Sequence, residues 1–142
     1  MLSFSSHALD RVRIQDCMRH PILSCDPETP IIDVAALMSN RYVHALVVRG
    51  DDRKPSAIVT DIDVMACIAC EGDGFAARDV ATGEPLTVAS AKSLRDPAQL
   101  MAEHGTTHLV VVDQASGQPV GILSTTDIMA AYATAHPVPS AP

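Results

Sequence analysis

Two four-residue patterns hold most of the chemistry this 142-residue chain can do: Thr60-Asp-Ile-Asp63 and Ser124-Thr-Thr-Asp127. A hydroxyl three residues ahead of a carboxylate is the signature of a capping box. There the hydroxyl accepts from an orphan helix N–H and the acid reaches back to the cap. The same turn can also hold a ligand. A helix start offers free N–H groups and partial positive charge to a phosphate, and a carboxylate suits the two hydroxyls of a ribose. A single turn can serve both ends, so both readings stand. A third pattern, Cys67-Ile-Ala-Cys70, is the spacing used by redox and zinc sites. Inside a helix it puts both thiols on one face, where buried structural cysteine is the competing reading, and zinc would need two further ligands. No glycine-rich phosphate loop, nucleophile motif or metal-ligand cluster is present, so no enzyme is expected.

The two hydroxyl–carboxylate turns lie in a longer echo. Residues 56–65, SAIVTDIDVM, are matched by residues 120–129, VGILSTTDIM. Tyr42-Val-His-Ala-Leu-Val-Val48 aligns with Thr106-Thr-His-Leu-Val-Val-Val112 at the same offset, and Pro55 with Pro119. Ala36-Leu-Met38 aligns with Gln99-Leu-Met101 one residue closer, which places an inserted residue near Gly105. Asp16-Cys-Met18 and Pro21 find partners in Asp79-Val-Ala81 and Pro85. A unit of about 60 residues is therefore duplicated along the chain.

The elements that position the turns follow from periodicity. Each repeat opens with a short extended piece, residues 22–25 or 86–88. An amphipathic helix comes next, with Thr29 as N-cap and Pro30 at the first helical position in one copy, and Ser93 or Asp96 as cap in the other. The apolar runs 45–48 and 109–112 are too short for helices and rich in β-branched residues, so they read as strands. A polar turn leads to strands 57–59 and 120–123, and closing helices start near Asp63 and Asp127. The expected fold is α/β: two β-α-β-β-α units, residues 8–70 and 76–135, packed through their sheets as one pseudo-twofold module. Residues 71–75 form the linker, and the proline-rich residues 136–142 a disordered tail.

Composition narrows the partners. The net charge is −7, with only four aromatic residues (Phe4, Tyr42, Phe75 and Tyr132). That combination argues against nucleic acid and anionic membranes, which need a basic face and, for single strands, stacking platforms. No apolar stretch is long enough for a membrane span or a secretory signal. A cytoplasmic protein with reduced thiols is the default.

The duplicated order, with Asp-x-Met followed by Pro at the start and Gly-Ile-hydrophobic-Ser/Thr-x-x-Asp at the end, resembles a tandem pair of CBS domains, a Bateman module, over residues ~10–135. The resemblance implies a regulatory, signal-transducing module. Its ligand would contain adenosine, held without covalent attachment: AMP, ADP, ATP, NAD or S-adenosylmethionine. It also implies a homodimer that regulates a partner protein in trans. In such modules the turn hydroxyl meets phosphate and the carboxylate holds the ribose, which carries over to Thr60, Asp63, Ser124 and Asp127. The family glycine is kept as Gly121 and replaced by Ala57, which favours the second turn as the ligand site. His44 and His108 align at a position that in some members is a His-Arg pair reaching phosphate; here Ala45 and Leu109 follow instead. Adenine is expected against Ile22, Leu86, Val43 or Ile58, with Ile122 at the equivalent place in the second copy. All ten Lys and Arg lie at or before Arg95. Cations for a phosphate must then come from Arg41, Arg49, Arg53, Lys54, Lys92 or Arg95, and AMP, or a dinucleotide or adenosyl compound, is expected over free ATP. The competing readings are an assembly module with vestigial sites, and a redox- or zinc-responsive protein working through Cys67 and Cys70.

Overall fold

The computed structural model describes residues 8–51, 55–71 and 74–135. Arg53, Lys54, part of the linker and the 136–142 tail lie outside the described residues. Among the described residues are six strands and five α-helices in two matching sets. The first set is β1 (Ser24–Cys25), α1 (Ile31–Arg41), β2 (Ala45–Arg49), β3 (Pro55–Thr60) and α2 (Asp61–Ala69). A short helix α3 (Ala77–Val80) leads into β4 (Thr87–Ala89), α4 (Arg95–His104), β5 (His108–Val112), β6 (Pro119–Ser124) and α5 (Thr125–Ala135). Two three-stranded sheets result, ordered β1-β2-β3 and β4-β5-β6, each with one parallel and one antiparallel pairing.

The chain packs as two compact units: Pro21–Leu86, and the residues up to His20 together with those from Thr87 onward. We call these the central and the composite unit. The division falls where it does because each repeat's leading segment runs along the last strand of the other repeat. Arg19 exchanges backbone hydrogen bonds with Ile122 of β6 (2.9 and 3.2 Å), and Thr82 donates to the Ile58 carbonyl of β3 (3.1 Å). In the central unit, Leu46, Val48 and Val59 face α1 and α2 and bury Val34, Met38, Val64 and Cys67 with them. In the composite unit Ile14, Leu94, Met101, Leu109, Leu123 and Ile128 are the corresponding buried side chains. Ala45, Val47 and Ile58, on the opposite face of the first sheet, are buried too. Two-sided burial explains why β2 reads as an unbroken apolar run rather than an alternating one.

Several local details differ from the sequence reading. Helix α1 begins at Ile31 with Pro30 as its N-cap, and Thr29 instead accepts a hydrogen bond from the Asp26 N–H (3.2 Å). The Ile31 N–H is satisfied by the Phe75 carbonyl (3.1 Å), which makes a side-chain cap unnecessary. Helix α4 likewise starts from Leu94, with neither Ser93 nor Asp96 capping it. The closing helices start two residues earlier than expected, so Asp63 and Asp127 stand in their first turns. Cys70 is the C-cap of α2 and is exposed, whereas Cys67 is buried, so the two thiols do not share one environment.

The most informative difference concerns the inserted residue. Tyr42 and Gly105 end α1 and α4 in the left-handed conformation, and the residue after each, Val43 or Thr106, donates to Met38 or Met101. These positions match at an offset of 63 residues. That offset continues into the strands: β2 begins at Ala45 and β5 at His108, with Ala45 opposite Thr60 and His108 opposite Ser124. The extra residue sits later, in the turn between β5 and β6. There the Asp113 carboxylate accepts the Ser116 N–H and hydroxyl (both 2.9 Å), and Gly117 takes a positive φ of 72°. These hydrogen bonds hold the Asp113 carboxyl below its ordinary pKa. His44 therefore corresponds to Thr107, and His108 to Ala45; the two histidines are not matched.

Candidate functional site: two strand-to-helix turns

Each turn is placed by the same device. The last strand residue, Thr60 or Ser124, is held in the antiparallel ladder. The first helical N–H is then taken by the neighbouring strand's lead-in: Asp61 donates to the His44 carbonyl (2.9 Å) and Thr125 to the Thr107 carbonyl (3.0 Å). Both carboxylates reach back as a capping box requires. Asp63 Oδ2 accepts the Thr60 N–H (2.9 Å) and the Thr60 hydroxyl (3.0 Å). Asp127 Oδ2 accepts the Ser124 N–H (2.9 Å), while Ser124 Oγ accepts the Asp127 N–H (3.2 Å).

Capping uses only part of each turn. The second carboxylate oxygen of Asp63 and of Asp127 has no protein partner among the described residues. The N–H groups of Ile62 and Thr126 are likewise without one. Each turn thus keeps an acceptor on a half-buried carboxylate and a helix N–H on an exposed residue, at the positive end of a helix of nine residues (α2) or eleven (α5).

The other expected site residues fall around these turns unevenly. His44 is exposed and its Nδ1 lies 3.1 Å from Asp61 Oδ2, with side-chain exposures of 71% and 57%. His108 is half-buried opposite Ser124, with Nδ1 2.9 Å from Thr107 Oγ1. Ala45, Leu109, Ile58 and Ile122 are buried in their strands, while Ile22, Val43 and Leu86 are half-buried. Leu86 closes the central unit, one residue before β4.

Gly121 has an explanation that needs no ligand. A Cβ there would come within 2.7 Å of both the Arg19 carbonyl oxygen and Met18 Sδ. The close approach is made by the chain's own leading segment. At the matching corner of the central unit the residues are Ala57 and Ala81, both packed against its core. The repeat thus has a glycine and a methionine in one copy where it has two alanines in the other, so Gly121 does not by itself mark the second turn as the better site.

Sequence reasoning did not single out Arg19. The backbone pairing with Ile122 puts it beside β6, two residues before Ser124, and its exposed side chain joins none of the ion pairs among the described residues. The sequence signal is the match of Asp16-Cys-Met18 to Asp79-Val-Ala81. What it lacked was the partner strand.

A cavity of about 510 Å³ adjoins Asp127 and is lined by Val12, Asp16, Cys17, Ala130, Ala131 and Thr134. Burial pushes the Cys17 thiol up, and the carboxylates of Asp16 and Asp127 push it the same way. Asp16 and Asp127 make this cavity, on the Cys17 side of the turn, electronegative and unsuited to a phosphate. Among the described residues no group of three or more His, Cys, Asp or Glu side chains could hold a metal ion, and no helix is long and apolar enough to cross a membrane.

The CBS domain family model matches residues 14–70 and 77–134. Among solved structures, CBSX2 in complex with AMP is 27% identical, with a TM-score of 0.72 over 87% of this chain and 97% of that one. A CBS domain protein of Pyrobaculum aerophilum complexed with AMP is 26% identical, with a TM-score of 0.75 over 87% and 99%. A CBS domain pair in complex with 5′-methylthioadenosine and S-adenosyl-L-methionine shares the fold at a TM-score of 0.78 and 18% identity, over 87% and 97% of the two chains. A curated relative, a homoserine O-acetyltransferase of Methanosphaera stadtmanae, is 28% identical over 127 residues. These are 89% of this chain and 25% of that protein, so the chain spans a quarter of that relative's length.

Proposed function

The chain belongs to the CBS-domain family, with two domains in tandem, and on that premise we propose that it is a non-enzymatic regulatory module whose strand-to-helix turns bind an adenosine-containing ligand, AMP foremost. One observation carries the reading. Each turn satisfies its own cap and still leaves a carboxylate oxygen and a helix N–H unpartnered, the complement of a ribose diol and a phosphate oxygen. AMP is the ligand named for two relatives of 26–27% identity, and the residues involved here are Thr60, Asp63, Ser124 and Asp127. NAD, ADP, ATP and S-adenosylmethionine are the alternatives, and of these free ATP, with the most phosphate charge, is disfavoured on an acidic chain.

Binding is non-covalent, and occupancy is passed to a partner protein in trans through a shift between two arrangements, which requires different ligand affinity in each. The module acts as a homodimer. Ile62, Met65 and Ile68 form an exposed apolar stripe on α2, and Met129 and Tyr132 an exposed pair on α5 at matching repeat positions. Such repeated apolar faces suit an isologous interface. Met65→Glu is expected to give a monomer by sedimentation; an unchanged dimer would remove α2 from the interface. Mass spectrometry of small molecules co-purifying with the protein, followed by melting with each adenosine compound, tests the ligand class. An adenosine ligand must raise the melting temperature if it binds only the folded chain; no shift with any of them would leave the vestigial-site reading.

A further inference from the structure

The residue types at equivalent positions make the two turns chemically unequal. At the Thr60–Asp63 turn the first helical residue is Asp61, an exposed carboxylate beside His44, and the residue alongside β3 is Thr82, whose hydroxyl is spent on the Ile58 carbonyl (3.2 Å). At the Ser124–Asp127 turn the same three places hold Thr125, Thr107 and Arg19, and His108 takes the place of Ala45 opposite the hydroxyl residue. One turn gains a negative charge at the helix start; the other gains a positive charge along the strand. Strand geometry puts the Arg19 backbone about 4.8 Å to the side of β6 and roughly 6.6 Å back from Ser124, within reach of an extended arginine side chain.

We propose that the two turns take different classes of adenosine ligand: the Ser124–Asp127 turn a 5′-phosphorylated one, and the Thr60–Asp63 turn one without a 5′-phosphate. A phosphate at the N-terminus of α5 meets the Thr126 N–H, the Ser124 hydroxyl and Arg19, and Thr125 stands where the other turn has the Asp61 carboxylate. At the N-terminus of α2 the same phosphate meets Asp61. The helix dipole is common to both turns and does not discriminate, so the side chains decide. A single unit charge about 6 Å away in a half-exposed site changes the affinity of an anion by about tenfold. The uncharged ribose and adenine are insensitive to it. The inference rests on the adenosine reading above and adds the ligand class of each turn.

Isothermal titration with AMP and with adenosine separates the two. Asp127→Ala leaves only the first turn, and this variant is expected to bind adenosine at least as tightly as AMP. Asp63→Ala leaves only the second, and AMP is expected to win by about tenfold. Two exposed substitutions provide independent arms that leave the caps intact. Asp61→Asn on the Asp127→Ala background should raise AMP affinity by about tenfold, and Arg19→Gln on the Asp63→Ala background should lower it by as much, each leaving adenosine within about twofold. Preference for AMP at both turns, or unaltered AMP affinity in Asp61→Asn and Arg19→Gln, overturns the inference while the adenosine reading stands. If neither compound binds the unsubstituted protein, this inference is overturned, and if no adenosine compound binds it, the adenosine reading falls as well.

Discussion

Replacing Gly121 by alanine should damage the composite unit through a steric contact that the central unit avoids. The new Cβ would lie 2.7 Å from Met18 Sδ, 3.1 Å from Met18 Cγ and 2.7 Å from the Arg19 carbonyl oxygen. The thioether is the end of a flexible side chain and can retreat. The carbonyl cannot do so cheaply, because it accepts the Ile122 N–H (3.2 Å), and the Arg19 N–H donates back to the Ile122 carbonyl (2.9 Å). Stretching those two bonds costs about 1 kcal/mol each, and overpacking a corner costs ~1–3 kcal/mol in total. At roughly 2–4 °C per kcal/mol for a chain of this size, Gly121→Ala should melt about 3–10 °C lower. Met18→Ala removes the sulfur contact and, with Gly121→Ala, gives the residue pair that the central unit has at the matching positions, Ala57 and Ala81. The double variant should therefore be more stable than the sum of the two single losses, a favourable coupling measurable by a thermal double-mutant cycle. A Gly121→Ala protein that melts within 1 °C of the unsubstituted one, or a cycle with no coupling, would refute the account of this corner. The same displacement moves Arg19, so AMP binding at the Ser124–Asp127 turn should weaken with it.

Two further outcomes follow from the same geometry. Asp63→Ala and Asp127→Ala each remove the acceptor of a cap N–H at 2.9 Å, so each should lower stability by about 1 kcal/mol in denaturant titrations; no loss would mean that the carboxylates do not cap α2 and α5. Cys17, held protonated by burial and by Asp16 and Asp127, should be alkylated more slowly than a free thiol near neutral pH, with a rate that keeps rising through higher pH. Asp127→Asn removes one of the two charges, so its profile should shift to lower pH; an identical profile would contradict the assigned cause.

The sequence makes the repeat, the strand and helix order and the two hydroxyl–carboxylate turns legible, because periodicity and duplication are local signals. SAIVTDIDVM and VGILSTTDIM are read correctly as strands running into capped helices. The histidine match is the instructive failure. Within Leu109-Val-Val-Val112 any gap placement preserves an apolar run, so sequence could not say whether the extra residue precedes β5 or follows it. The left-handed residues Tyr42 and Gly105 fix the register, and an exposed Tyr42 gives no sequence sign of a positive φ. Thr29 and Pro30 were misplaced for a similar reason: the Phe75 carbonyl, 44 residues further along the chain, satisfies the Ile31 N–H that a side-chain cap would have taken. Gly121 looked like a place for a ligand because its partner segment, Met18 and Arg19, lies more than 100 residues away. Wherever a local rule failed, a distant segment had supplied the partner.

Isothermal titration of AMP into the unsubstituted protein and into the Asp63→Ala/Asp127→Ala double variant, with cooperative melting checked for both, tests most directly whether the spare carboxylate oxygens of Asp63 and Asp127 hold an adenosine ligand. Saturable binding that disappears in a still-folded double variant is the predicted result; equal affinity in the two proteins would contradict it.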